Sequence, residues 1–187
     1  MRLFVALEIP SAVRENLAAL LNSLRAVSPQ TRWVRPENLH VTLKFIGEMP
    51  ETRLAAVRSA LRSVRSEQPV TLDFRGLSFF PNEKHPRVFW AGIEASANLK
   101  SLAADIDRAT EKLGVPLEKR PFSPHLTLAR LEPPRLPEKL RAAIQEDLGR
   151  DFDSLRTSQF HLIESKLKPT GAEYTTVESF PFAAEEA

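Results

Sequence analysis

The chain has 187 residues, of which 42% are hydrophobic and 27% charged, enough to bury the core of one ordinary domain. Its 26 basic and 24 acidic residues leave a formal net charge of only +2, which does not indicate a protein that coats duplex nucleic acid. The absence of cysteine excludes disulfides, thiolate nucleophiles and cysteine-ligated zinc. No apolar run has the roughly 20 residues of a membrane span, and the start lacks a secretory signal. We therefore expect a cytoplasmic protein without membrane contact.

The first half of the chain alternates between strand and helix patterns. In chain order it predicts a strand (2–9), a helix that begins near Ser11, a short extended piece (31–38), a strand (39–46) that Gly47 ends, and a helix (50–64). The first helix rests on apolar residues at helical spacing: Val13, Leu17, Leu20, Leu21 and Leu24.

The second half repeats this alternation. It predicts a hairpin of two strands (70–80 and 87–95), a helix (98–113) followed by Gly114, a strand (125–131), a short helix (138–148) and two final strands (159–168 and 173–180). Short strands mixed with helices favour an α+β fold over a doubly wound parallel sheet.

A tetrapeptide recurs at about half the chain length. His40-Val41-Thr42-Leu43 is repeated as His125-Leu126-Thr127-Leu128. Together with the repeated order of elements, this predicts a single domain, residues 1–187, made of two pseudo-symmetric lobes. In a strand, residues i and i+2 point to one face, so each motif presents an imidazole and a hydroxyl together. We expect the two motifs to form the walls of a cleft, although a duplicated structural strand would carry the same pattern.

Two histidines opposed across a cleft can perform general acid–base catalysis. With ordinary pKa values near ~6.5, one ring can take a proton from water while the other gives one to a leaving oxygen. Threonine hydroxyls and a cation can donate hydrogen bonds to the non-bridging oxygens of a phosphate. The chemistry that matches is the opening of a phosphodiester, most easily a strained cyclic one. On the residues alone, the two histidines are interchangeable in these roles.

The two motifs resemble the signature of the 2H phosphoesterase superfamily. Within it, the chain is similar to the bacterial and archaeal RNA 2′,3′-cyclic phosphodiesterases, also called LigT-like or 2′-5′ RNA ligase-like proteins. The similarity extends over nearly the whole chain, through the stretches RLFVALEIP, WVRPENLHVTLKFIGE, FSPHLTLAR and FHLIESKLKPTGAEYTTVESF.

This resemblance implies a bilobal α+β fold in which two mainly antiparallel sheets face a central cleft, with the helices outside. It implies metal-independent hydrolysis of a terminal RNA 2′,3′-cyclic phosphate to a 2′-phosphomonoester. His40 would be the proton donor to the leaving 3′ oxygen and His125 the proton acceptor that activates water. Thr42 and Thr127 would bind the phosphate, and Arg130 would be a phosphate-contacting cation.

The residues that follow each motif are harder to place. Strict alternation puts Arg130 on the face opposite His125, so it needs a bulge or a strand end to reach the cleft, and a solvated surface arginine is the alternative interpretation. Phe45 holds the corresponding position in the first motif, where it is either a stacking surface for a base or a core residue, and core packing is the simpler interpretation. For Lys44, an exposed strand lysine is a simpler interpretation than a phosphate contact.

Neither a cofactor nor a metal site is expected from this sequence. His85 fits a loop, His161 fits a strand, and neither stands in a metal-ligand spacing. The arginines at 53, 58, 62 and 65 fit a solvated helix face. Two alternatives to hydrolysis stay open: joining of RNA ends through a 2′-5′ linkage at the same site, and a non-catalytic module that binds RNA ends or nucleotides. We expect a monomer without an obligatory protein partner.

Overall fold

The computed structural model describes residues 1–183, and residues 184–187 of the predicted domain lie outside this range. The described residues form four α-helices: α1 (Ser11–Val27), α2 (Leu54–Arg62), α3 (Asn98–Glu111) and α4 (Glu138–Gln145). They also form nine strands: β1 (Arg2–Glu8), β2 (Arg32–Trp33), β3 (His40–Glu48), β4 (Val70–Phe80), β5 (Val88–Ala95), β6 (His125–Arg130), β7 (Asp151–Thr157), β8 (Gln159–Lys168) and β9 (Gly171–Pro181).

The strands build two antiparallel sheets. One sheet has the order β3-β1-β8-β9, and the other has the order β2-β6-β5-β4-β7. Every strand pairing within the two sheets is antiparallel. The predicted α+β class with two antiparallel sheets is therefore confirmed.

The helices connect the two sheets through one core. Helix α1 follows β1 of the four-stranded sheet but packs against β7 of the five-stranded sheet. Helix α3 follows β5 of the five-stranded sheet and packs against β3 of the four-stranded sheet. Buried side chains from both sheets and all four helices accordingly form one hydrophobic cluster, including Leu7, Leu17, Phe74, Phe89 and Leu128. Burial on this scale is the main stabilising contribution to the fold.

The structure differs from the predicted strands at two points. Gly47 does not end β3, because the strand continues to Glu48 and Gly47 lies within it at φ 86°. Strand β7 was not predicted, because its residues DFDSLRT bury only Phe152 and Leu155, three positions apart. The positive φ of Asp153, 87°, breaks the alternation between these two side chains. Pairing with β4 stabilises this edge strand where its own sequence pattern is weak.

Candidate active site

The two repeated motifs lie on two strands that contact each other across the boundary between the sheets. Strand β3 begins at His40 and β6 begins at His125, and β3 and β6 are in contact. His40 lies opposite Glu8 of β1, and His125 lies opposite Gly92 of β5. The fold thus brings together two segments that are 85 residues apart in the chain.

Both imidazoles are held by the same local hydrogen bond. Nδ1 of His40 is 3.1 Å from the carbonyl oxygen of Asn38, and Nδ1 of His125 is 3.0 Å from that of Ser123. A carbonyl oxygen can only accept, so Nδ1 must carry the proton in both rings. The tautomer is therefore fixed, and Nε2 is left as the atom that gains or loses a proton in each histidine.

The turn before His40 is anchored on two sides. Arg14 of α1 donates a hydrogen bond of 2.6 Å to the carbonyl oxygen of Pro36, and the Asn38 side chain donates one of 2.9 Å to the carbonyl oxygen of Ala172. These bonds fix the Asn38 carbonyl that in turn orients the His40 ring. The position of His40 thus depends on α1 and β9 as well as on its own strand.

Aromatic rings contact both histidines, but to different extents. His40 makes edge contacts with Phe4 and Tyr174, at centroid distances of 6.3 Å and 5.7 Å. His125 makes one edge contact, with Trp90, at 5.0 Å. His40 is half-buried, whereas His125 is exposed. The two rings therefore share a hydrogen-bonding pattern but differ in their access to water.

The surroundings of His40 affect its protonation. Burial lowers the pKa of His40 below its ordinary value, because removal from water disfavours the charged ring. The hydrogen bond to Asn38 and the charge of Glu8 raise this pKa in part, whereas Arg14 and His161 lower it further. A bound phosphate anion next to the ring would raise it again.

A bulge occurs at the same step in both motif strands. In β3, Val5 lies opposite Lys44 and Ala6 opposite Thr42, so Leu43 has no partner in the register. In β6, Phe89 lies opposite Ala129 and Trp90 opposite Thr127, so Leu128 has none. An extra residue in a strand inverts the facing of the residues after it.

The bulges change where the next side chains point. Arg130 lies opposite Val88, which is on the same face of β5 as Trp90, so Arg130 shares a face with Thr127 and His125. Phe45 lies opposite Phe4 and contacts it at a centroid distance of 6.1 Å, so Phe45 shares the face of His40. Each strand therefore presents a histidine, a threonine and a third side chain together.

Both simpler interpretations of the residues after the first motif are wrong. Phe45 is 64% exposed and does not pack in the core, whereas Lys44 is only 3% exposed. Nζ of Lys44 donates to Oδ1 of Asp107 and to the carbonyl oxygen of Pro116, each at 2.7 Å. The bulge exchanges the environments that strict alternation predicts for these two residues.

Comparison with known proteins identifies the family of this chain. The family described as LigT like Phosphoesterase matches residues 7–90 and 93–174. A protein of Methanothermobacter thermautotrophicus named RNA 2′,3′-cyclic phosphodiesterase is 34% identical over 96% of this chain and 97% of its own. One of Thermus thermophilus with the same name is 37% identical over 99% of this chain and 92% of its own. This chain belongs to the LigT-like phosphoesterase family.

Solved structures agree with this assignment. The crystal structure of the Thermus thermophilus protein TT0787 matches this LigT-like chain with a TM-score of 0.77, 34% identity and full coverage of both chains. E. coli LigT complexed with 3′-AMP matches with a TM-score of 0.75 and 27% identity, covering 98% of each chain. The LigT-like fold predicted from the sequence is therefore confirmed.

A buried polar group lies next to His40 in this LigT-like fold, and the sequence analysis did not assign it to the site. His161 of β8 is 4% exposed, and its Nδ1 is 2.8 Å from the hydroxyl oxygen of Ser179. Its Nε2 is 3.9 Å from a carboxylate oxygen of Glu8, the residue opposite His40. Burial lowers the pKa of His161, and the charge of Glu8 acts against that effect. The alternation of β1 places Glu8 on the face of Phe4, but no local sequence pattern indicates its contact with His161.

The remaining candidates lie elsewhere. His85 is exposed in the loop between β4 and β5, as predicted. Arg58 and Arg62 of α2 both bind the Glu178 carboxylate of β9, so their helix face is tied to a strand.

Within residues 1–183, no group of three or more His, Asp or Glu side chains is arranged to hold a metal ion. No helix in this range is long and apolar enough to cross a membrane.

Two cavities border the first motif strand of this LigT-like phosphoesterase. One, of about 450 Å³, is lined by residues 44–46 and 115–120. The other, of about 180 Å³, is lined by Arg35, Glu37, Asn38 and residues 170–174. The first cavity lies beside Phe45 and the second beside Asn38, so the two flank the face that carries His40 and Thr42.

Proposed function

We propose that this protein hydrolyses the 2′,3′-cyclic phosphate at RNA ends to a 2′-phosphomonoester. The observation that carries the proposal is the pair of H-x-T motifs, in which both rings have Nδ1 bonded to a carbonyl and Nε2 left for proton transfer. Curated relatives over nearly the whole chain are named RNA 2′,3′-cyclic phosphodiesterase. The E. coli relative has been crystallised with 3′-AMP, which supports a nucleotide end as the ligand.

The reaction needs two proton transfers and no covalent enzyme intermediate. Nε2 of His125 takes a proton from water as the water oxygen bonds to phosphorus. The bond between phosphorus and the 3′ oxygen breaks, and Nε2 of His40 gives its proton to that oxygen. The phosphate stays on the 2′ oxygen, and proton return between the rings through water restores the enzyme.

The other side chains stabilise the phosphate. The hydroxyls of Thr42 and Thr127 donate hydrogen bonds to its non-bridging oxygens, and the guanidinium of Arg130 balances the charge that develops in the transition state. Phe45 supplies an exposed ring on which the terminal base stacks. These groups account for the chemistry without a metal ion, so we propose that hydrolysis is metal-independent.

A single chain supplies all of these groups, which supports a monomer that acts without a protein partner. We further propose that the chain is one domain of two pseudo-symmetric lobes. The equivalent bulges of β3 and β6 support the symmetry, and the shared hydrophobic core supports the single domain. Light scattering on the purified protein tests the oligomeric state. An RNA-end substrate and the lack of cysteine fit a cytoplasmic enzyme.

The decisive experiment is turnover of a short RNA that ends in a 2′,3′-cyclic phosphate, measured in excess chelator. The wild type should form the 2′-phosphate, and His40→Ala and His125→Ala should each lower kcat by at least about 100-fold. His85→Ala is the matched control, because His85 is an exposed loop histidine, and it should retain wild-type activity. Formation of the 3′-phosphate, or dependence on added metal, would contradict the mechanism.

A further inference from the structure

The larger cavity has a wall that is fixed to the motif strand by a buried cation. Lys44 donates to Asp107 of α3 and to the carbonyl oxygen of Pro116, and its Nζ is 3.3 Å from a carboxylate oxygen of Glu118. The backbone N–H of Glu118 also donates to the Asp107 carboxylate, 3.2 Å from Oδ2. Segment 116–118 is therefore tied to β3 at the residue before Phe45.

This attachment places an apolar surface beside Phe45. Phe45 is 64% exposed, and Leu117, which lines the same cavity, is 44% exposed. Two exposed apolar side chains across a cavity of about 450 Å³ offer room and contact surface for a nucleoside. Aromatic rings bind unpaired bases by stacking, with little dependence on base identity.

The same wall carries positive charge that the protein does not neutralise. Lys119 and Arg120 line the cavity and are exposed. In the described part of the chain, neither Lys119 nor Arg120 forms an ion pair with a carboxylate, whereas Lys44 forms two. The one carboxylate that lines the cavity, that of Glu118, is itself paired with Lys44. Two free cations beside an aromatic ring form a site suited to a nucleic acid backbone.

The position of this wall along β3 relates it to the proposed reaction. Thr42 lies opposite Ala6 and Phe45 opposite Phe4, two positions apart on β1, so at about 3.3 Å per residue Phe45 lies roughly 7 Å from Thr42 along the sheet, and segment 115–120 lines the cavity beside Phe45. A cyclic phosphate held at Thr42 with its base stacked on Phe45 would therefore place the preceding phosphate near this cavity.

We propose that Leu117, Lys119 and Arg120 form a subsite for the RNA strand on the 5′ side of the terminal nucleotide, with the two cations contacting its phosphates. The inference rests on the proposed function. It makes an oligonucleotide with a cyclic phosphate end a better substrate than a nucleoside 2′,3′-cyclic phosphate, which has no 5′ phosphate for these cations to meet.

The test compares two substrates: adenosine 2′,3′-cyclic phosphate and a tetranucleotide that ends in the same group. Lys119→Ala/Arg120→Ala should lower kcat/KM for the tetranucleotide by about 10-fold or more and leave the value for the nucleoside unchanged within about 2-fold. The preference of the wild type for the tetranucleotide should also fall as salt rises, and the double variant should lose that dependence. Arg25→Ala/Lys100→Ala removes two exposed helix cations outside the cavity and should change neither substrate.

Equal losses on both substrates, or no loss on either, would overturn the subsite. A binding measurement separates this failure from failure of the proposed function. The fluorescein-labelled tetranucleotide 2′-phosphate should bind the wild type more tightly than the double variant by about 10-fold, whether or not turnover occurs. If the wild type turns over neither substrate, the proposed function fails, while this anisotropy difference still decides the subsite.

Discussion

Phe45 and Arg130 occupy equivalent positions in the two motif strands. Each follows its motif histidine by five residues, and each is brought to the histidine face by a bulge two residues earlier, at Leu43 or at Leu128. A regular strand without a bulge would turn both side chains away from the histidine face. The two halves therefore contain the same type of bulge. It brings an aromatic ring to the histidine face in one half and a guanidinium in the other.

Arg130 should stabilise the charge that develops in the transition state. Arg130→Ala should lower kcat/KM on a cyclic phosphate end by roughly 10- to 100-fold, because hydrogen bonds to a charged group are worth about 1.5–3 kcal/mol. Arg130→Lys should recover only part of this loss, because an ammonium lacks the planar fork of donors. Arg156→Ala, an exposed arginine of β7 in the same sheet, is the control. Wild-type kinetics for Arg130→Ala would exclude it from the site.

Glu8 should set one limb of the pH–rate profile. Burial lowers the pKa of His40, and the charge of Glu8 partly offsets this effect. Glu8→Gln removes the negative charge, so the pKa of His40 should fall further. Because the proposed proton donor must be protonated to act, the alkaline limb of kcat/KM should move to lower pH while the acid limb stays in place. Glu48→Gln, at the far end of β3, should leave both limbs unchanged. A shift of the Glu8→Gln limb to higher pH would contradict this account of the electrostatics.

Lys44 should contribute to stability in spite of being a charged residue in a strand. Lys44→Met leaves the Asp107 carboxylate, 18% exposed, without its cation, which should lower the free energy of unfolding by about 3–5 kcal/mol. Lys166 is the matched control, since its pair with Glu164 is more exposed, and Lys166→Met should cost less than about 1 kcal/mol. Urea unfolding of the two variants measures both changes, and equal midpoints would refute the buried role of Lys44.

Gly92 should tolerate no side chain. A Cβ at this position would lie 2.6 Å from the carbonyl oxygen of Arg75, a backbone atom of the adjacent strand. Gly92→Ala should therefore lower the free energy of unfolding by roughly 1–3 kcal/mol. It should also lower activity, because Gly92 lies opposite His125. Thermal unfolding and turnover assays measure the two effects. A Cβ at Gly149 would meet no atom within 4 Å, so Gly149→Ala should be close to neutral in both assays.

The sequence by itself determined the type of site. The repeat of His40 and Thr42 at His125 and Thr127 indicates two equivalent strands, each with a histidine and a threonine on the same face. This inference is possible because alternation in a strand is local and follows from backbone geometry. The same local reasoning predicts most of the helices and strands and the α+β class. It does not predict β7, whose apolar residues are few and whose stability depends on pairing with β4.

Only the tertiary structure decided which side chains join the two motifs. A bulge depends on how a strand fits its neighbour, so the placement of Lys44, Phe45 and Arg130 follows from pairing with β1 and β5 rather than from the residues themselves. The contact of Glu8 with His161 likewise joins two strands that are far apart in the chain. Local sequence thus specifies the proposed reacting groups, and long-range pairing specifies their neighbours and hence their protonation.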